Sequence, residues 1–259
     1  MSFKTTMAAA VLAVLVVLAS LGASASGAGS DPKKRSAKSV VLGKTTTYPE
    51  PGCPAPDKCE VIARVTGIQM QAGGTDHPFR SPTRGNVVSW WLKLPKLRAA
   101  QARAFSQLFG GRPAARLSIL RRGKRGRFRL VRQSPVQQLT DLLGKKGRAR
   151  IRLEEPLFVK AGDYVGVTAI TWLPAFAVGL DPAGNSWLAS RSKSRCKTPS
   201  TRDPTKFAAY YKRTDAHATT STVKNYLCTY RTARILYWAR IVPEPAPQRQ
   251  RSTATPAPG

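Results

Sequence analysis

Seven basic residues are packed between Arg121 and Arg132, namely Arg121, Arg122, Lys124, Arg125, Arg127, Arg129 and Arg132. A second group follows at Lys145, Lys146, Arg148, Arg150 and Arg152, its arginines spaced by two and so on one face of a strand. Guanidinium and ammonium groups in such density hold phosphate, sulfate or carboxylate through charge-assisted hydrogen bonds and counterion release, without reading a sequence. If the two segments are neighbouring strands, they make one continuous basic strip. A solvated outer face with no ligand is the plain alternative. No RNA-recognition, OB-fold or helix-turn-helix pattern accompanies the charge, so sequence-specific nucleic acid is not an expected partner.

Other chemistries have thinner support. There are two histidines, His77 and His217. Each has an aspartate nearby (Asp76, Asp215) and a serine further along (Ser81, Ser221), but no G-x-S-x-G elbow exists, and both read as exposed loop residues. Glu154 and Glu155 are adjacent, so a strand points them to opposite faces, and the arginines at 148–152 offer them salt bridges. A secreted glycan-acting hydrolase with loop-borne acids is therefore an alternative without a positive signature. Asp181-Pro182-Ala183-Gly184-Asn185 has the composition of a β-turn, two of whose oxygens could also take calcium, which leaves a calcium-dependent lectin-like module as a further alternative. No cofactor or metal is expected. Trp91 and Trp238 could form a sugar-stacking platform or a second packed face, whereas alternation puts Trp90 and Tyr237 in the core.

Strands must position these groups, because period-two alternation dominates from residue 61 onward. One face reads Val61, Ala63 and Val65, and a bulge at Gly67 would let Ile68 and Met70 continue it. Further faces are Val88, Trp90, Leu92 and Leu94, then Ala115, Leu117 and Ile119 with Phe128 and Leu130 as a hairpin. Ala149, Ile151 and Leu153 follow, then Val165, Val167 and Ala169, then Ile235, Tyr237, Ala239 and Ile241. The one helix expected covers Leu97 to Phe109 and stops at Gly110-Gly111. The long segment from Ser190 to Lys224 is the place for a recognition loop. Many short strands with turns between them predict an all-β fold, a single β-sandwich that is jelly-roll-like rather than immunoglobulin-like.

The amino terminus gives an address. Lys4 precedes an apolar run of about fifteen residues, Met7 to Leu21, and Ala23-Ser24-Ala25 offers the small-x-small pattern of a cleavage site. The run is shorter than the roughly 20 residues a spanning helix needs, so no transmembrane segment is expected in the mature chain. Residues 1–25 are thus a signal peptide, 26–52 a flexible linker, 53–242 the β-sandwich domain, and 243–259 a Pro/Ala/Thr-rich tail. The four cysteines all follow the signal, an even number for an oxidising compartment. Three pairings are possible; Cys53–Cys59 and Cys196–Cys228 are favoured as two disulfides, each pair being near in sequence around an irregular stretch.

The 259-residue chain has 43 Lys+Arg against 13 Asp+Glu and a net charge of +30. Such a charge attracts polyanions over long range and weakens with salt. The frequency of Ala, Arg, Gly and Pro also fits a GC-rich coding sequence, which would make part of the excess compositional.

Three segments carry a resemblance: Trp172 to Leu180 (WLPAFAVGL), Ser186 to Arg191 (SWLASR) and Tyr226 to Tyr237 (YLCTYRTARILY). They resemble a group of secreted β-sandwich proteins of actinobacteria that has no assigned activity. That resemblance implies fold and extracytoplasmic compartment, and no catalytic residue. The expectation is a non-catalytic binding or structural module that attaches to anionic wall polymer or acidic polysaccharide.

Overall fold

Alternating and β-branched apolar runs between Gly- and Pro-bearing turns give a mostly β chain, seen in a computed structural model that describes residues 38–52, 60–144, 148–200 and 202–245. The first half runs β1 (Val40–Leu42), β2 (Ile62–Ala72), β3 (Thr75–Asp76), β4 (Gly85–Lys93), α1 (Ala99–Phe109), β5 (Ala114–Arg122), β6 (Arg127–Gln133) and β7 (Gln137–Gln138). There follow β8 (Arg148–Val159), β9 (Tyr164–Leu173), β10 (Phe176–Ala177), β11 (Ser186–Ala189) and α2 (Pro204–Lys212). The chain closes with β12 (Val223–Asn225), β13 (Cys228–Arg231), β14 (Arg234–Ile235) and β15 (Tyr237–Pro243).

All strand pairs among the described residues are antiparallel. One sheet has the order β1-β15-β4-β8, and a larger one the order β12-β6-β5-β9-β2-β11-β13, with β3 added to β2 and β7 to β5; β10 and β14 form a separate pair. A single core cluster takes Trp90, Leu92, Ile151, Ala239 and Ile241 from the first sheet and Leu117, Ile119, Val165, Val167 and Ala169 from the second. Tyr237 ties the two together: its ring stacks on Phe79 with centroids 3.8 Å apart, and its hydroxyl donates to the Val165 carbonyl at 2.8 Å. Burial drives this phenol well above its ordinary pKa, so it stays a neutral donor.

Several side chains face otherwise than strict alternation predicts, and the cause is local. In β4 the pairing with β8 slips between Val87 and Ser89, so Val87 enters the core in place of Val88. In β2 the irregularity sits at Arg64 (φ 52°), between Ala63 and Val65, not at Gly67. Val65 therefore joins Ile62 in the inter-sheet core, while Ala63 and Ile68 pack on the other face. Gly67 serves close packing instead: a Cβ there would lie 2.3 Å from Ile235 Cδ1. The β5–β6 hairpin forms as expected, but a slip between Ile119 and Leu120 puts Leu120, Phe128 and Leu130 on the outer face with Tyr164 and Tyr226.

The larger sheet is consequently apolar on both faces, and its second face needs a cover. Part of that cover is α1, which ends at Gly110 in the left-handed conformation (φ 73°), as the Gly-Gly stop predicts. Its Phe105 and Phe109 pack with Trp172 of β9 and Phe207 of α2. The second helix corrects the expectation of a single one. Residues 190–224, read as a recognition loop, hold α2 and β12, and are tied to β13 by the Cys196–Cys228 disulfide. One disulfide is thus seen among the described residues; the expected Cys53–Cys59 pair, the signal peptide and most of the tail lie outside them. Residues 40–42, placed in the linker by the sequence reading, form β1 on β15. Among the described residues no helix is long and apolar enough to cross a membrane.

Candidate functional site

With Trp90, Leu92, Ile151, Leu153, Tyr237 and Ala239 turned inward, alternation leaves Ser89, Trp91, Lys93, Trp238, Arg240, Arg148, Arg150 and Arg152 on the outer face of the four-stranded sheet. Register aligns them in rows. Trp91 lies opposite both Trp238 and Arg150, Lys93 opposite Arg148, and Ser89 opposite both Arg240 and Arg152. The Arg148 guanidinium lies 4.0 Å from the Trp238 ring centroid and 4.4 Å from that of Tyr48, while Arg150 and Arg240 lie 5.6 and 5.5 Å from Trp91. Each such contact contributes about 0.5–2 kcal/mol, depending on desolvation. Lys93 fixes the strap that carries Tyr48: its ammonium meets Glu50 Oε1 at 2.5 Å and the Pro49 carbonyl at 3.2 Å.

Two sequence candidates, the Arg148–Arg152 file and the Trp91/Trp238 pair, thus share one face. The tryptophans are not an open platform, however, since Trp238 is 2% exposed. Stacked guanidiniums keep their N–H edges free for bidentate contact with an oxyanion. Three further donors on this face, Ser89 Oγ, Trp238 Nε1 and Arg240 Nε, are buried and have no hydrogen-bond partner among the described residues. Arg240 and the Tyr48 strap were missed by the sequence reading; the alternation that exposes Trp238 to this face also places Arg240 on it.

The first basic cluster sits elsewhere. The hairpin β5–β6 belongs to the larger sheet, where β12 takes the outer edge of β6, while among the described residues β8 pairs only with β4. No continuous strip through neighbouring strands exists, because the two segments lie in different sheets. Arg121 is held by Asp163 through Nε at 2.8 Å and Nη2 at 2.9 Å, and these bonds raise its pKa above the ordinary value. Arg129 donates to the Ser221 carbonyl at 2.6 Å, and Arg132 lies 5.7 Å from the Phe158 ring centroid. Arg122, Lys124, Arg125 and Arg127 are exposed around the hairpin tip. Lys145 and Lys146 lie outside the described residues.

The histidines differ from their expected setting. His217 is fully buried, its ring bonded to Tyr226 Oη at 3.2 Å and Thr222 Oγ1 at 3.0 Å, and desolvation with the nearby Lys224 charge lowers its pKa to about 4. Asp215 is buried too, gripped by Arg191 and Arg195 at 3.2 and 2.9 Å. His77 meets Tyr164 Oη at 3.2 Å. Among the described residues neither imidazole is hydrogen-bonded to a serine or an acid, so no catalytic triad is assembled. Glu154 and Glu155 are both exposed, and among the described residues neither makes the ion pair expected with the arginines. Asp181 Oδ1 accepts from the Ala183 amide and Asn185 Nδ2 donates to the Asp181 carbonyl, which is turn chemistry. Among the described residues no cluster of His, Cys, Asp or Glu has the arrangement of a metal site.

A cavity of about 540 Å³ between the helices and β2 is lined by Phe105, Phe109, Phe207, Tyr211, Trp187 and Arg191 among others. It depends on α2, so nothing in the sequence reading anticipated it. The chain matches no protein-family model, no curated protein and no solved structure.

Proposed function

We propose that the protein is a secreted, non-catalytic module that attaches to anionic wall polymer or acidic polysaccharide through the outer face of its four-stranded sheet. The observation that carries this reading is the row of Arg148, Arg150 and Arg240 stacked on Trp238, Trp91 and Tyr48. A flat file of donors on a rigid sheet suits an extended polymer better than a small substrate, since successive anionic groups can be met by successive residues.

The fold reading that accompanies it is a jelly roll. It is supported by chain order: β1, β15, β4 and β8 lie side by side in one sheet, and β6, β5, β9 and β2 in the other. Taken along the chain, these eight strands pass between sheets in the manner of two interlocked Greek keys, an architecture that includes lectin domains. This is analogy of fold and adds no residue to the site.

Retention on heparin and on a uronic-acid polymer tests the proposal. Arg150→Glu/Arg152→Glu/Arg240→Glu is expected to elute at much lower salt than the parent. A control of equal charge change on the hairpin, Lys124→Glu/Arg125→Glu/Arg127→Glu, is expected to shift elution far less. Equal shifts in both variants would reduce the interaction to net charge and remove this face as its site.

A further inference from the structure

We infer that a second and discrete site, for a tetrahedral oxyanion of the phosphate or sulfate class, lies where the turn after β3, the end of β5 and the β8–β9 turn meet. The concavity measures about 350 Å³ and is lined by His77, Arg80, Arg121, Arg122, Gly162 and Tyr164, with Asp163 and Ala161 completing the wall. It shares no residue with the outer face of the four-stranded sheet, and its existence does not depend on polymer binding there.

The charge count favours an anion. Three guanidiniums face one carboxylate, and that carboxylate is already occupied. Asp163, 2% exposed, accepts from Arg121 Nε and Nη2 and also from the Lys160 amide at 3.0 Å. Its role is to position Arg121, whose Nη1 protons have no partner among the described residues. Arg80 and Arg122 are exposed, and among the described residues neither side chain has an acidic partner. Two full cations therefore remain in one small hollow. A compact dianion satisfies them better than a monoanionic carboxylate, since it offers more acceptor oxygens at higher charge.

The walls are held rigidly, which a preformed site requires. Residues 79–81 run beside residues 162–165, joined by Val165 N to Phe79 O at 2.9 Å, Ser81 N to Asp163 O at 2.8 Å and Gly162 N to Ser81 O at 2.8 Å. Gly162 takes φ 86°, and a Cβ there would come 3.6 Å from Arg80 Nη2, so the guanidinium lies directly over the turn. His77 is anchored by its amide to the Met70 carbonyl at 2.7 Å, and its Nδ1 is engaged with the Tyr164 hydroxyl.

The same chemistry reaches the protein from two sources, a free inorganic anion or an ester carried on a carbohydrate. Calorimetric titration of the signal-free chain with inorganic phosphate, inorganic sulfate, glucose 6-phosphate, glucose 6-sulfate and glucuronate separates them. Saturable one-site binding of the tetrahedral anions, at least about tenfold tighter than glucuronate, is the expected result. Tighter binding of the sugar esters assigns the site to polymer-borne groups, and equal binding assigns it to the free anion. Arg80→Ala/Arg122→Ala, with an unchanged melting temperature, is expected to weaken binding at least tenfold. The Arg150→Glu/Arg152→Glu/Arg240→Glu variant should bind within twofold of the parent, which keeps this result independent of polymer retention. No saturable binding, glucuronate binding as tightly as the esters, or an undiminished affinity in the Arg80/Arg122 variant would each overturn the inference.

Discussion

His217 illustrates how far burial alone can change what a side chain does. The imidazole is enclosed beside Tyr226 and Thr222, near the Lys224 ammonium, and its folded pKa of about 4 lies below the 6.5 of a free histidine. Between those values the unfolded chain binds a proton that the folded one does not. The stability it provides is therefore complete above about pH 6.5 and is lost as the pH falls toward 4, by roughly 3 kcal/mol at most. Urea unfolding at pH 7, 5.5 and 4 should show this decline, and His217→Gln should flatten it. A variant with the parental pH slope would assign the loss to other groups. Trp238 shows a related effect in a polar setting: the sequence pattern turned it outward correctly, yet Arg148 and Tyr48 close over it, so an outward residue is nonetheless buried.

Among the elements, α2 was the one with readable signals that alternation obscured. Asp203 caps it, accepting from the Lys206 amide at 3.0 Å, and Pro204 stands in its first turn. Both marks were present in the sequence, inside a segment whose length suggested a loop. The cap matters because α2 brings Phe207 and Tyr211 against Phe109, with ring centroids 6.3 and 4.9 Å apart. Asp203→Ala should lower the melting temperature by about 2–4 °C and speed proteolysis within residues 196–213. Asp203→Ser, which can still cap, should recover most of the loss. If both variants melt like the parent, the helix is held by its aromatic contacts alone. Strands β2 and β9 were harder to read for a different reason: each is buried on both faces, so period two conveys little about which side is the core.

At the scale of the folded chain, the Cys196–Cys228 bond closes a loop that contains α2 and β12. For a separation of 32 residues, constraint of the unfolded chain corresponds to about 3–4 kcal/mol. Cys196→Ala/Cys228→Ala should shift the urea midpoint by that amount, and reductant should destabilise the parent more than this variant. A parent whose midpoint ignores both changes would show that the β12–β13 region is held by packing and by the Asp215–Arg191–Arg195 cluster instead. Charge acts at this scale as well. With +30 on the chain and few acids, the ion pairs at Asp163, Asp215 and Glu50 hold arginine or lysine in place, while Arg84–Glu244 and Lys206–Asp203 pair at the surface.

Local chemistry carried the β class, the span of α1 to its glycine stop, the late cystine pairing and the inward aromatics Trp90 and Tyr237. Those features follow from periodicity, turn residues and spacing, which are properties of neighbours in sequence. What grouped the arginines was different. Arg240 joined Arg150 on Trp91 because β15 inserts between β1 and β4, and the Arg121–Arg132 cluster parted from the Arg148–Arg152 file because β6 and β8 fell in different sheets. Strand order sets such distances through contacts far apart along the chain, and no short window of residues encodes it.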